Sequence, residues 1–362
     1  MKTTNQHILI LLTMIFATAC GNSGTSYSIL PSGDSFKQAA ASFNNQVDLL
    51  WVVDNSSSMS PLQSNMTTNF NSFISQFVSK GYNFQVAVTT TDAYLADPGF
   101  DNTPDQAKFR DGVSGGTLTG VFNILPTTPN LINVFVTNAT QGANGSGDER
   151  AFSSIRSALS SSLNTNFPRT SSYLGIIILS DEDDFSSASR IEYSWLYSGG
   201  TPDHDYAYTG LDPESMYTDY LDTLTNSTGA GRRYSVSALA VIDPTCLASH
   251  VTASPSSVIG QRYMQIATDT GGVVGSICDA SYASTLDAIQ QNIVELSTQF
   301  YLSKTPDPTT IVVTVNGATV AQDPTNGWTY NSAANSITFH GTSVPAQGAS
   351  VSVNFEPTSL TN

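Results

Sequence analysis

Read as a pattern of apolar and polar positions, the chain changes character near residue 300. Val47 to Val53 (Val-Asp-Leu-Leu-Trp-Val-Val) is a nearly unbroken apolar run, as expected of a parallel strand covered on both faces. Leu62, Met66, Phe70, Phe73 and Phe77 then recur at helical spacing, with Pro61 suited to a first turn and Gly81 to a stop. The alternation continues with a strand over 84–90, a helix over 148–160, a strand over 174–180 and a helix over 213–225. A strand over 234–241, a helix over 260–270, a short strand over 273–277 and a long helix from Tyr282 to about Phe300 complete the series. Buried strands alternating with amphipathic helices predict an α/β fold, a doubly wound and mostly parallel sheet with helices on both faces.

Farther along, the helical period disappears. Thr310 to Val315, an Asn316-Gly317 turn, Trp328 to Tyr330, Ser336 to Phe339 and Ser350 to Phe355 read as short strands. They predict a small C-terminal all-β module over 305–362, marginal alone and therefore packed on the first domain. The α/β domain is expected to occupy 45–304.

Composition narrows the class. Hydrophobic residues make up 40% of the chain, which excludes a disordered polar polymer. Lys and Arg number 13 against 29 Asp and Glu, a net charge of -16 that would repel a polyanion over most of the surface. Nucleic acid is thereby excluded as a partner. At the N-terminus Lys2 precedes an apolar run from Ile8 to Ala17, too short to span a bilayer, and then Ala17-Thr18-Ala19-Cys20. This junction resembles a bacterial lipobox, which implies a signal peptide over 1–19, acylation of Cys20 and attachment to a lipid membrane. Gly21 replaces the Asp that retains many lipoproteins at the inner membrane, so the expected location is the outer membrane, facing the periplasm or the cell exterior. The small, polar residues that follow Cys20 read as a flexible tether reaching to residue 44. The two cysteines left, Cys246 and Cys278, are expected to form a disulfide in an exported protein.

Candidate chemistry sits where strands end. Asp54-Asn55-Ser56-Ser57-Ser58 follows the first buried strand, and an Asp with two alternate hydroxyls in a tight loop offers three hard oxygens to one point, a donor set suited to Mg2+. The strand over 174–180 runs directly into Asp181-Glu182-Asp183-Asp184, and in open α/β sheets ligands bind outside the carboxyl ends of strands. Plainer roles are available to the same residues. Ser56 and Ser58 could cap the Pro61 helix, and Glu182, Asp183 and Asp184 read as loop acids that shape the surface potential. Asp203-His204-Asp205 reads as part of a solvated 199–217 insertion, whose Tyr206, Tyr208 and Tyr217 could decorate a contact surface. No Gly-X-Ser-X-Gly elbow follows an apolar strand, and no phosphate loop or zinc spacing occurs.

Over about residues 45–300 the chain resembles the von Willebrand factor A (vWA) domain with its metal-ion-dependent adhesion site (MIDAS), in a bacterial lipoprotein branch. The resemblance lies in Val52-Val53-Asp54-Asn55-Ser56-Ser57-Ser58-Met59, Val88-Thr89-Thr90-Thr91-Asp92 and Leu179-Ser180-Asp181-Glu182-Asp183-Asp184. It implies that Asp54, Ser56 and Ser58 hold Mg2+ or Mn2+ and that Asp181 acts through water. A hydroxyl from a middle loop would complete the set, here Ser146, with Thr140 in reserve. It also implies a membrane-anchored adhesin that is not an enzyme and that binds a protein or surface ligand presenting an acidic residue. The alternatives are a metal-dependent hydrolase using Asp54 and the 181–184 acids, and a structural envelope scaffold with a vestigial site.

Overall fold

The computed structural model describes residues 36–37, 41–42, 46–79, 81–113, 115–187, 196–198, 201–203, 209–250, 257–346 and 348–358. The signal peptide, Cys20, His204, Asp205, Tyr206 and Tyr208 lie outside the described residues. Two short strands, β1 (Phe36–Lys37) and β2 (Ala41–Ser42), precede β3 (Gln46–Val53), α1 (Ser60–Ser79), β4 (Asn83–Thr90), α2 (Leu131–Ala139), α3 (Ala151–Ser160) and β5 (Tyr173–Leu179). A hairpin of β6 (Leu196–Ser198) and β7 (Thr201–Asp203) leads to α4 (Glu214–Thr225), β8 (Tyr234–Ala240), α5 (Pro244–His250), α6 (Gln261–Thr270), β9 (Val274–Ser276) and α7 (Ala283–Ser297). The chain ends in β10 (Phe300–Tyr301), β11 (Val312–Val315), β12 (Ala318–Val320), β13 (Trp328–Asn331), β14 (Ser336–Phe339) and β15 (Ser350–Phe355).

The central sheet has the order β4-β3-β5-β8-β9 and is parallel throughout. Alternation along β3 assigns side chains to its two faces. Val47, Leu49, Trp51 and Val53 pack with Phe70, Phe73 and Phe77 of α1, Phe135 of α2 and Leu286, Ile289 and Ile293 of α7. Leu50 and Val52 join Ile176 and Ile178 of β5 against Phe152 and Ile155 of α3, Leu221 of α4 and Tyr263 and Ile266 of α6. The expected α/β sandwich is therefore present. Register sets its chemistry: Val53 lies opposite Thr90 and Leu179, and Leu179 opposite Leu239, so the residues leaving these strands emerge along one edge. Among the described residues, no helix is long and apolar enough to cross a membrane.

The C-terminal strands form two small antiparallel sheets, β10-β14-β13 and β1-β15-β11-β12, with β2 also pairing with β15. Phe300, Val313, Trp328, Ile337, Phe339, Val351, Val353 and Phe355 fill the space between them. Two expected boundaries move. The all-β module begins at Phe300, three residues after α7 ends, rather than at 305. The 20–44 segment is also more than a tether, because β1 and β2 give β15 strand partners and satisfy backbone groups that an open edge would leave unpaired. The α/β domain is thus inserted between strands of one β module. Val344 touches the cores of both parts, and His340 Nδ1 lies 3.2 Å from Glu295 Oε2 of α7.

Tyr217 also moves. It belongs to α4, is buried, and its hydroxyl bonds Asp212 at 2.8 Å and Ser153 at 2.9 Å, so it is a core residue and not part of a contact surface.

Trp51 is the hub of the larger core, edge-on to Phe73 at 5.4 Å and Phe135 at 5.3 Å. Replacing it with Ala should destabilise the protein by about 3–5 kcal/mol through lost burial and the resulting cavity. Urea unfolding of Trp51→Ala against the wild type is the measurement, and a change under 1 kcal/mol, on the order expected of a surface site, would contradict the packing described.

Candidate metal centre

The end of β3 delivers Asp54 to the carboxyl edge, where its backbone N–H still bonds Leu179 O at 3.0 Å as a continuation of the ladder. The chain then turns, and the Asp54 carboxylate accepts the Ser56 N–H at 2.8 Å on one oxygen and the Ser180 hydroxyl at 2.7 Å on the other. Ser56 Oγ lies 3.3 Å from Ser58 Oγ, and the Ser58 hydroxyl donates to Asp181 Oδ1 at 2.9 Å. Neither serine hydroxyl caps α1. Instead the two hydroxyls lead to Asp181, 123 residues from Ser58, while Asp54 is held by the Ser56 backbone N–H, and the sheet register is what brings them together. Asp54, Ser56, Ser58 and Asp181 therefore form one cluster.

Gln63 of α1 fastens this loop to the next. Its side-chain amide donates to Asp54 O at 2.8 Å and Gly142 O at 2.9 Å, and its oxygen accepts the amides of Gln141 and Gly142. Gly145 N–H bonds Asn55 O at 2.8 Å, and a Cβ at Gly145 would fall 2.4 Å from the Asn55 side chain, so a larger residue here would push the Asn55 amide away from Asp92. Asp92 ties the same loops from below, accepting from Asn55 Nδ2 at 2.9 Å and Ser146 N at 3.1 Å.

The middle loop differs from expectation at one residue. Ser146 reaches the edge, but its hydroxyl accepts the Asp148 N–H at 3.1 Å and lies 3.4 Å from Tyr94 OH; it makes no hydrogen bond to Asp54, Ser56, Ser58 or Asp181. Thr140 is exposed and its hydroxyl is spent on Val136 O at 2.7 Å. The side chain that this loop does commit is Glu149. It is 1% exposed, among the described residues no N–H group or hydroxyl donates to its carboxyl, its side chain meets the Glu182 carboxyl, and Asp54 and Glu182 are the charges that act on it most. Arg150 fixes its position from the next residue, buried against the rings of Tyr94, Phe100 and Phe185 while it bonds Asp148 at 2.9 Å. In the sequence Glu149 is hidden, because an acid before an amphipathic helix is ordinary helix chemistry.

The acids after β5 also prove structural rather than surface features. Asp183 accepts the Arg262 N–H at the start of α6, and Asp184 accepts the Phe152 N–H at the start of α3 at 2.9 Å, so one loop closes the open ends of two helices. Glu182, Asp183 and Asp184 are all buried.

Burial dominates the electrostatics. It pushes the Asp54 carboxyl up to about 8, helped by the nearby Asp181 and Glu182 and opposed by the bonds from Ser56 and Ser180. Glu149 is raised for the same first reason. Among the described residues no Lys or Arg pairs with Asp54 or Glu149, and no three His, Cys, Asp or Glu side chains are grouped to hold an ion by themselves. The hydroxyls of Ser56 and Ser58 would have to take part. Orphaned carboxylate oxygens beside a pair of hydroxyls fit a hard divalent cation, which would compensate charge that the protein leaves uncompensated.

No protein-family model matches the sequence, and no curated protein matches it. Solved structures are similar at low identity. The pilus adhesin SpaC from Lactobacillus rhamnosus GG, in its open conformation, is 13% identical over 88% of this chain with a TM-score of 0.43. Proximal thread matrix protein 1 from the mussel byssus is 11% identical over 74% of this chain with a TM-score of 0.37, and a form of it with a zinc-occupied MIDAS motif has a TM-score of 0.35. The chain spans 40% of the length of the adhesin and 52% of the mussel protein. At TM-scores of this size, what the chain does must be read from its own residues.

The raised Asp54 value has a defined pH consequence. Because its folded value lies above the ordinary 3.8, the stability it contributes is complete below about pH 4 and is lost as the pH rises through about 8. Thermal melts in EDTA from pH 4 to 9 should show declining stability, and Asp54→Asn, which cannot ionise, should flatten the decline. Parallel curves for the two proteins would contradict the assignment.

Proposed function

We propose that the chain is a vWA-type adhesion protein that binds an acidic group on a partner protein or surface ligand through a divalent cation, Mg2+ or Mn2+. The observation that carries this reading is the cluster of Asp54, Ser56, Ser58 and Asp181 at one sheet edge, with the Ser58–Asp181 bond at 2.9 Å and the buried Glu149 carboxyl acting on Asp54 from the middle loop. Asp54, Ser56 and Ser58 would hold the ion, Asp181 would orient the Ser58 hydroxyl, and Glu149 would add negative charge from the middle loop. The cation, when bound, would supply an electrophilic position that a partner carboxylate fills. In an otherwise acidic chain this edge would be the local focus for an anion.

We read the protein as a binding protein and not an enzyme. Among the described residues no serine or threonine hydroxyl bonds the His250 ring; Ser58, Ser257 and His250 all bond Asp181 separately, which leaves no nucleophile–base pair at this sheet edge. Attachment through acylated Cys20 at the outer membrane, facing the periplasm or the cell exterior, is the location that the lipobox-like junction and Gly21 support.

Capture of the partner from surface-labelled cells should be lost in EDTA and restored by Mg2+ or Mn2+. Asp54→Ala should capture none while keeping its fold, because the apolar strand core is untouched. Capture by Asp54→Ala equal to that of the wild type would sink the proposal.

A further inference from the structure

Asp181 is held from three sides. Its Oδ1 accepts the Ser58 hydroxyl, while Oδ2 lies 3.0 Å from His250 Nε2 and 2.9 Å from the Ser257 hydroxyl. Its backbone oxygen also accepts the Val258 N–H at 3.2 Å. With a proton on Nε2 the imidazole donates to Oδ2, so His250 helps decide which way the carboxylate faces and with it where the Ser58 hydroxyl points.

His250 is the last residue of α5, a helix of seven residues. So short a helix does not hold itself together in water, and its position must come from tertiary contacts. Those contacts are few. Cys246 is the buried residue of α5, and Leu247 is partly buried against the main core. At the first turn the Asp243 carboxylate accepts the N–H groups of Thr245 and Cys246 at 2.8 Å each. The covalent anchor is the Cys246–Cys278 disulfide, with Cα atoms 5.6 Å apart, which realises the pairing expected from the cysteine count. Cys278 is itself rigidly placed, since Ile277 N–H bonds Ala240 O at the end of β8 and its own N–H bonds the Ser276 hydroxyl. The disulfide thus fastens α5 to the end of the sheet next to the cluster, one turn from the residue that touches Asp181.

We propose that α5 is a strap over the cation site: the disulfide holds the helix, the helix places His250, and His250 orients Asp181 so that Ser58 is set to bind the ion. This inference rests on the cation reading given above. His250 is a positioning residue in this scheme and does not touch the ion. Losing such an outer partner typically costs 10–100-fold in metal affinity, and the strap is expected to cost about the same at either end of α5.

The experiment is calorimetric Mg2+ titration of five proteins: wild type, His250→Ala, His250→Gln, Cys246→Ser/Cys278→Ser, and the latter combined with His250→Ala. His250→Ala and the double serine variant should each lose about 10–100-fold in affinity. The combined variant should be no weaker than the double serine variant, because both changes remove one interaction. His250→Gln should recover most of the loss, since its amide restores a donor to Oδ2. Amide hydrogen exchange in EDTA supplies a readout without the ion, and residues 243–250 should exchange faster once the disulfide is gone. Full Mg2+ affinity in His250→Ala, or unchanged exchange over 243–250 in the double serine variant, overturns the strap. Should the double serine variant not fold, His250→Ala decides alone, because its disulfide is intact. Absence of Mg2+ binding by the wild type would instead overturn the cation reading, and the strap with it.

Discussion

The burial of carboxyl groups at the carboxyl edge of the parallel sheet is the constraint on which the rest of the molecule depends. Asp54, Asp92, Asp181, Glu149, Asp183 and Asp184 are all withdrawn from water within a few loops. Each withdrawal is costly unless a donor or a cation answers it. Backbone amides answer four of them: Ser56 N–H for Asp54, Ser146 N–H for Asp92, Arg262 N–H for Asp183 and Phe152 N–H for Asp184. The loops are therefore shaped by the acids they carry. Arg262 adds a guanidinium between Asp184 and Glu214, each at 3.3 Å, and locks α6 to α4 in doing so.

The compensation is uneven, and the imbalance separates structural acids from functional ones. Asp183 and Asp184 cap helices and have an arginine nearby, so a plain architectural account is complete for them. Asp54 has two donors but, among the described residues, no cationic partner, and is still driven up to about 8 by burial. Among the described residues no N–H group or hydroxyl donates to Glu149, whose side chain meets the Glu182 carboxyl instead. A fold that spends amides and an arginine freely along this edge leaves this corner unneutralised, beside two serine hydroxyls 3.3 Å apart. That local deficit is what a divalent ion would fill.

The β module gives the edge a frame. Because β1 and β2 pair with β15, the chain enters and leaves the α/β domain through the same small sandwich. Entry through β2 and exit through α7 into β10 place both connections of the domain on that module.

Local sequence determined the elements whose signal is periodic and whose chemistry is concentrated. The apolar run of β3, the helical spacing of Phe70, Phe73 and Phe77, and the Asp54-X-Ser56-X-Ser58 motif depend on neighbours within a few residues, so they were legible along the chain. The disulfide followed from cysteine count and compartment. Only the tertiary structure decided the rest, because the deciding partners are distant in sequence. Glu149 over Ser146 turns on which residue of one loop faces Asp54, and that is set by Arg150 among three aromatic rings drawn from other loops. The 183–184 acids became helix caps because β5 ends beside the first turns of α3 and α6, an adjacency of sheet order rather than of sequence. Strands of two residues such as β1 and β2 carry no period to read, and α5 has a single buried side chain, so neither announces itself until its partner is in place.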